Sequence, residues 1–253
     1  MSDITALNTQ KLNQKATAQL KQELLQLVRD RDIQSLKQKV EFYQQQLAPL
    51  VTELSRRNSF PQAEKQVPLI LGIWTPVWST IPFQDMLPGR VSKQSYQIFH
   101  DDGFYANIAR YAPGNKLKLG WFEKLASFLL AFDLMVIQKY QVKDGQWQIE
   151  NIGIKQAIRW QGVDLTIDKA DSWFTKVMRN EVMPIGLSRS QMDDTSTKVQ
   201  LENLDRSTAK RFQTAFGATP QFEHLYIDPD FRIVKTRREA KQRPSYTIAI
   251  RRN

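Results

Sequence analysis

The chain has 253 residues, of which 41% are hydrophobic and 25% are charged, proportions typical of a folded globular protein rather than a disordered one. It contains no cysteine, which excludes disulfides, thiolate metal sites and a cysteine nucleophile. No apolar run approaches the roughly 18 to 20 residues that span a bilayer, so we expect no membrane-spanning helix. The first residues also lack the apolar core of a signal peptide, which predicts an unprocessed chain on the cytoplasmic side.

The first 58 residues are predicted to form a helical segment packed on or near a second domain. Apolar residues recur at spacings of three and four from Leu12 to Val28, and again from Ile33 to Leu47, where Pro49 is expected to end the second helix. These amphipathic helices are expected to pack against the rest of the protein, with a partner protein or a membrane surface as alternatives. The stretch SRRNSFPQAEKQVP that follows is predicted to be a linker.

Residues 59–253 are predicted to form a mainly β domain. Hairpins are expected at Asp101-Asp102-Gly103 and at Asp144-Gly145, because Asp-Gly readily adopts the positive φ angles of tight turns. Further strands are predicted in QAIRW, VDLTID, EHLYIDPDFRIVKTR and YTIAIRR. Helices are expected in DKADSWFTKVM and LDRSTAKRFQTAFG. Strands joined by short turns, without alternating helices, favour a closed antiparallel barrel of about eight strands.

The stretch LILGIWTPVWST opens this β domain with a glycine two positions before a tryptophan. In a barrel, Gly72 would relieve crowding where the first strand bends, and a large indole would close the barrel floor. The aromatic and aliphatic residues that could line a cavity are Trp74, Trp78, Tyr96, Ile98, Phe104, Ile108, Trp147 and Ile149. A core filled by side chains is the alternative, and a slip of one residue in strand register would exchange the two faces.

The sequence contains no nucleotide-binding or hydrolase motif, and we predict no catalytic residue and no metal. His100 lies beside a hairpin and is expected to stabilise the turn or face solvent. A metal cluster of His224, Asp228 and Asp230 is less favoured than a partly buried network in which Asp228, Asp230 and Arg232 support the barrel. If Pro229 breaks the strand, the two carboxylates would instead shape a turn.

The net charge of +10 is concentrated near the end of the chain, where residues 232–253 carry +7. Candidates for contact with an anionic surface such as lipid headgroups are Arg237, Arg238, Lys241, Arg243, Arg251 and Arg252. A solvated face with no partner is the simpler alternative. Nucleic acid is not expected, because no nucleic-acid-binding motif accompanies the charge.

Four stretches, LVTELSRRNSFPQ, LILGIWTPVWST, SYQIFHDDGFYANIARY and HLYIDPDFRIVKTRR, together resemble the plastid-lipid-associated protein/fibrillin (PAP/fibrillin) family. The most specific piece is YIDPDFRI, Tyr226 to Ile233, which is similar to the family's Tyr-Leu-Asp-Glu-Asp-Leu-Arg-Ile. The motif residues in this chain are Gly72, Asp228, Asp230 and Arg232. The resemblance is to a cyanobacterial-type member, and it implies a lipocalin-like β-barrel with N-terminal amphipathic helices.

The resemblance also implies a non-enzymatic role in binding or organising lipophilic molecules, such as a prenylquinone, a carotenoid or an acyl lipid. The implied location is peripheral to the thylakoid membrane or to lipid bodies (plastoglobules), or in a plastid for a mature form. An alternative is a scaffold or regulatory protein with a filled barrel, whose N-terminal helices dock a partner such as an isoprenoid-biosynthesis enzyme. An enzyme acting on a bound pigment or lipid is a third hypothesis, for which the sequence offers no evident centre.

Overall fold

The computed structural model describes residues 12–81, 89–112, 130–179, 221–237 and 243–252. Its strands are β1 (Gly72–Ser79), β2 (Arg90–Phe99), β3 (Phe104–Tyr111), β4 (Leu130–Lys143), β5 (Gln146–Trp160), β6 (Gln221–Ile227), β7 (Phe231–Arg237) and β8 (Ser245–Arg252). Its helices are α1 (Thr17–Val28), α2 (Leu36–Phe42), α3 (Ala48–Arg56), α4 (Ala63–Ile70) and α5 (Ile167–Val177), with a π-helical turn (Tyr43–Leu47) between α2 and α3. In these ranges the chain is therefore mainly β, as predicted.

The strands form one antiparallel sheet in which neighbours in the chain are neighbours in space. β8 pairs with β1, so the sheet of eight described strands closes in a ring. The predicted turns explain much of this order. Asp144 and Gly145, between β4 and β5, both have positive φ, 53° and 73°, as a two-residue hairpin turn requires, and Gly103 has a φ of 83° between β2 and β3.

The chain divides into two compact units. The first comprises Met1–Pro82, Val142–Gln148 and Pro220–Asn253, and so contains α1 to α4 together with β1, β6, β7 and β8. The second comprises Phe83–Gln141 and Ile149–Thr219, and contains β2, β3, α5 and most of β4 and β5.

In the first unit, helices α1 and α3 cover one face of the sheet. Leu20, Leu24 and Leu54 are fully buried and belong to one apolar core with Trp78 and Ile233 of the strands. The apolar side chains of the helices, spaced by three and four residues, thus pack against strand side chains at alternate positions, which share one face of the sheet. Their burial supplies the hydrophobic stabilisation of this unit.

Three local predictions are wrong. Pro49 does not end the second helix, because the π-helical turn precedes it and proline in the first turn of α3 has no hydrogen bond to lose. The expected linker contains α4, in which Pro68 is accommodated near the end while Gln66 and Ile70 are buried. VDLTID is not a strand, because Thr166 caps α5 and accepts a hydrogen bond from the Lys169 backbone N–H at 3.4 Å.

Two other predicted helices and one predicted strand have different outcomes. The helix in DKADSWFTKVM is confirmed as α5. The helix expected in LDRSTAKRFQTAFG lies outside the described residues. QAIRW is confirmed as strand, and it continues β5 rather than forming a separate element.

A β-bulge in β1 separates the two tryptophans of LILGIWTPVWST. The register shifts between Pro76 and Trp78, so that Trp74 lies opposite Arg251 and Trp78 lies opposite Ile248 on β8. Residues 248 and 251 point to opposite faces of β8, because side chains alternate along a strand. Trp78 therefore packs in the helix-covered core, and Trp74 lies on the opposite face.

Candidate functional site

Gly72 makes room for an arginine at the start of β1. It has a φ of 100°, and a Cβ at this position would lie 2.8 Å from Nη1 of Arg251. Arg251 donates hydrogen bonds to the carbonyls of Leu69 and Leu71, at the C-terminal end of α4 and just after it, and to the carbonyl of Pro229. Its guanidinium also lies 4.4 Å from the ring centroid of Trp74. Arg251, a sequence candidate for an anionic surface, is thus bound within the fold.

A buried hydrogen-bond chain connects α4 to the face of the sheet that carries Trp74. Trp147 Nε1 donates to Oε1 of Gln66 at 2.8 Å, and Nδ1 of the buried His224 lies 3.0 Å from the same oxygen. Because an amide oxygen only accepts, Nδ1 carries the imidazole proton, and Nε2 faces Nη1 of Arg232 at 3.5 Å as an acceptor.

His224 is neutral in this arrangement. Burial lowers the pKa of His224 well below its usual value, and the charge of Arg232 lowers it further. Gln66 completes the chain by donating from Nε2 to the Phe60 carbonyl at 2.7 Å. The hydrogen bonds of Gln66 therefore hold the Trp147 indole in a defined orientation.

A pocket of about 390 Å³ opens beside this buried chain. Its aromatic wall consists of Trp147 and Phe222, which stack with ring centroids 4.9 Å apart and planes 21° apart. We call it the Trp147 pocket. The residues that line it are Ser55, Asn58, Pro61, Ala63, Gln66, Gly145, Gln146, Trp147, Gln221, Phe222, Glu223, His224, Leu225, Lys235 and Arg237.

The Trp147 pocket contains one of the predicted cavity residues and several that sequence analysis missed. Trp147 was a candidate by strand alternation, and Ile149, two positions along β5, is also buried. Phe222 and His224 alternate on β6 in the same way and could have been recognised from that pattern. Gln66 could not have been recognised from the sequence, because it belongs to a stretch whose pattern predicts a linker.

The cavity candidates of β2 and β3, which are Tyr96, Ile98, Phe104 and Ile108, lie in the second unit. Tyr96 lies opposite Ile108, and its hydroxyl donates to the Leu165 carbonyl at 2.9 Å, just before α5. Ile98 shares this face by alternation along β2, so all three lie on the face that α5 covers. Phe104 is only partly buried, and Lys139 lies 5.9 Å from its ring centroid.

His100 connects the β2–β3 turn to α5. Its Nε2 lies 3.3 Å from Oδ1 of Asp171, and its ring centroid is 4.4 Å from that of Phe174. Its backbone N–H donates to the Phe104 carbonyl at 3.0 Å. These contacts are those of a residue that holds a turn against a helix.

Asp228 organises the turn between β6 and β7. Its Oδ1 accepts the backbone N–H groups of Asp230 and Phe231 at 3.1 and 2.8 Å. Its Oδ2 accepts the Tyr226 hydroxyl at 2.8 Å and Nζ of Lys21 from α1 at 2.7 Å. The strand ends at Ile227, so the Asp228 carboxylate shapes a turn, whereas the Asp230 carboxylate pairs with Lys21 and does not bond to the turn backbone.

Arg232, the third member of the predicted network, follows this turn on β7. It is 2% exposed, and its guanidinium lies 4.8 Å from the ring centroid of Trp74. Arg232 is thus buried next to His224, a lining residue of the Trp147 pocket.

The ion pair of Asp228 with Lys21 predicts a stability that depends on pH. Burial alone would raise the pKa of Asp228, but its hydrogen bonds with Asp230, Lys21 and Tyr226 outweigh burial and lower it. A lowered pKa in the folded state stabilises the protein above the unfolded value of about 4, and this stabilisation is lost as the pH falls through the folded pKa. We expect Asp228→Asn to lower the free energy of unfolding by about 1 to 2 kcal/mol at neutral pH.

Urea denaturation of the wild-type protein and of Asp228→Asn, at neutral pH and near pH 3, would test this expectation. The free energies of unfolding of the two proteins should differ less at the lower pH. The matched control is Asp230→Asn, because the Asp230 side chain also pairs with Lys21 but is 75% exposed. We expect this variant to lose less than about 1 kcal/mol. Equal losses in both variants at both pH values would contradict the assignment.

The predicted anionic-surface residues are only partly described. Arg237, Arg243 and Arg252 are exposed, whereas Arg238 and Lys241 lie outside the described residues. Arg237 is the one that also lines the Trp147 pocket.

Comparison with known proteins finds no family model and no curated protein that matches the chain. In the described ranges, no three histidine, aspartate or glutamate side chains come together as metal ligands would. None of the helices within these ranges is long and apolar enough to cross a membrane.

Proposed function

We propose that the protein is a non-enzymatic binder of lipophilic molecules, of the PAP/fibrillin type, with a lipocalin-like β-barrel. Two features support this proposal. The closed antiparallel sheet has its strands in chain order, as an up-and-down barrel does. The YIDPDFRI motif forms a turn whose carboxylates accept hydrogen bonds from Lys21 of helix α1. The proposed location is the periphery of photosynthetic membranes or lipid bodies.

The observation that carries the proposal is the stacked wall of Trp147 and Phe222 in the Trp147 pocket. The indole N–H already donates to Gln66, so the indole presents apolar surface to the pocket instead of a free donor. Transfer of apolar surface from water to such a wall is favourable by about 25 cal/mol per Å². At about 390 Å³ the pocket would hold one end of a prenylquinone, carotenoid or acyl lipid.

The alternative, a scaffold that docks a partner through its N-terminal helices, is less well supported. The apolar stripes of these helices, which include Leu20, Leu24 and Leu54, are buried against the sheet. A partner would therefore have to bind the polar faces of α1 and α3. No contact among the described residues favours that mode of binding over lipid binding.

Extraction of the protein after gentle purification from a photosynthetic host would test the proposal. We expect mass spectrometry of the organic extract to show a lipophilic molecule in a fixed ratio to the protein. Phe222→Ala should lower this ratio severalfold, because it removes half of the aromatic wall. Phe42→Ala, at a partly buried phenylalanine of α2 that does not line the pocket, is the matched control.

The control should retain the bound molecule. An empty extract from folded wild-type protein would contradict the proposed function. Equal loss of the molecule in both variants would place the binding site elsewhere.

A further inference from the structure

The rim of the Trp147 pocket carries an unbalanced positive charge. Among the described residues of its lining, the charged ones are Glu223, Lys235 and Arg237. Nζ of Lys235 lies 3.0 Å from Oε2 of Glu223, so these two charges compensate each other. Arg237 is exposed at the end of β7 and has no ion-pair partner among the described residues.

The described residues of the inner wall add no compensating negative charge. His224 is neutral, and Gln66 and the Trp147 indole are polar groups that bind each other. An anion entering the pocket would therefore meet an attractive potential at the rim and an apolar wall within.

We propose that the Trp147 pocket binds an anionic amphiphile. Its carboxylate, phosphate or sulfate group would pair with Arg237, and its apolar part would lie against Trp147 and Phe222. A guanidinium suits this role because it binds such groups through paired, charge-assisted hydrogen bonds. This inference rests on the proposed function and narrows the ligand to a molecule with one anionic group beside an apolar chain or ring.

The experiment is a calorimetric titration of the full chain with laurate and with dodecanol, which have equal chain length and differ in charge. Both are used below their aggregation concentrations at neutral pH. We expect laurate to bind about tenfold more tightly than dodecanol. Arg237→Gln should abolish this preference, because the affinity for laurate should fall about tenfold to that of dodecanol.

Arg252→Gln is the matched control, because it removes the same charge from an exposed arginine at the C-terminal end of β8, which does not line the pocket and whose Nε donates to Oγ1 of Thr75 at 3.3 Å. It should retain the laurate preference. Phe222→Ala should weaken both ligands, since it shortens the wall that they share. A preference that survives in Arg237→Gln, or that is lost equally in Arg252→Gln, would overturn the inference.

The failure of this inference can be distinguished from failure of the proposed function. Equal affinities of wild-type protein for laurate and dodecanol, both weakened by Phe222→Ala, would overturn the anionic preference and leave lipid binding in place. Binding of neither ligand, together with an empty extract, would contradict both.

The anionic amphiphile could be free or could be the headgroup region of a membrane lipid, and vesicles distinguish these sources. Sedimentation with phosphatidylcholine vesicles, with and without phosphatidylglycerol, measures binding to a membrane lipid. Binding that requires phosphatidylglycerol and Arg237 supports the inference with a membrane lipid as ligand. Laurate binding without vesicle binding supports it with a free amphiphile, and vesicle binding unaffected by Arg237→Gln would count against it.

Discussion

Replacement of Asp133 by alanine is expected to lower the free energy of unfolding by about 3 to 5 kcal/mol. Nε and Nη2 of Arg110 donate to the two carboxylate oxygens of Asp133 at 2.7 and 2.9 Å. The two side chains are only 3% and 1% exposed, so the variant would leave a buried guanidinium without its counter-charge. Arg159, whose Nε lies 3.4 Å from Oδ2 of Asp133, would lose a partner as well.

Urea denaturation followed by circular dichroism would measure this loss. The matched variant is the double substitution Arg110→Met with Asp133→Leu, which removes both charges and keeps apolar volume. It should recover most of the lost stability, because the cost arises from the uncompensated charge and not from loss of the pair itself. A double variant as unstable as Asp133→Ala would contradict this explanation.

Trp78→Ala is expected to destabilise the protein by a similar amount, about 3 to 5 kcal/mol. The indole is fully buried in the core between the sheet and helices α1 and α3. It also stacks with Tyr43 of the π-helical turn, with ring centroids 6.3 Å apart. Its removal would leave a large cavity that the surrounding side chains can fill only in part.

Trp160→Ala is the matched control for this substitution. The side chain of Trp160, at the end of β5, is 64% exposed, so we expect a change within about 0.5 kcal/mol. Both variants are measured by the same urea denaturation. Similar losses in the two variants would mean that Trp78 is not a central core residue.

The turns and most strands could be predicted from sequence because their causes are local. Asp144 and Gly145 form a turn wherever two strands flank them, since both adopt positive φ with little strain. The same holds for the alternating pattern of YTIAIRR, which forms β8. The heptad-like spacing of leucines in α1 likewise needs only its own residues to indicate a helix with one apolar face.

The candidate site depended on contacts between distant parts of the chain. Gln66 is separated by 81 residues from Trp147 and by 158 from His224, and only the folded chain brings the three together. α4 was missed because Pro68 argues against a helix locally, whereas burial of Ile70 and the hydrogen bonds of Gln66 favour one in the folded protein.

The sequence by itself determined that the protein is mainly β, where its chain turns, and that its first described helices have apolar faces. It also indicated Trp147 as a pocket residue. Only the tertiary structure decided which face each side chain occupies. A single bulged residue in β1 places Trp78 among the helices and Trp74 against Arg232 and Arg251, because the side-chain period of a strand is two and one extra residue reverses the faces that follow.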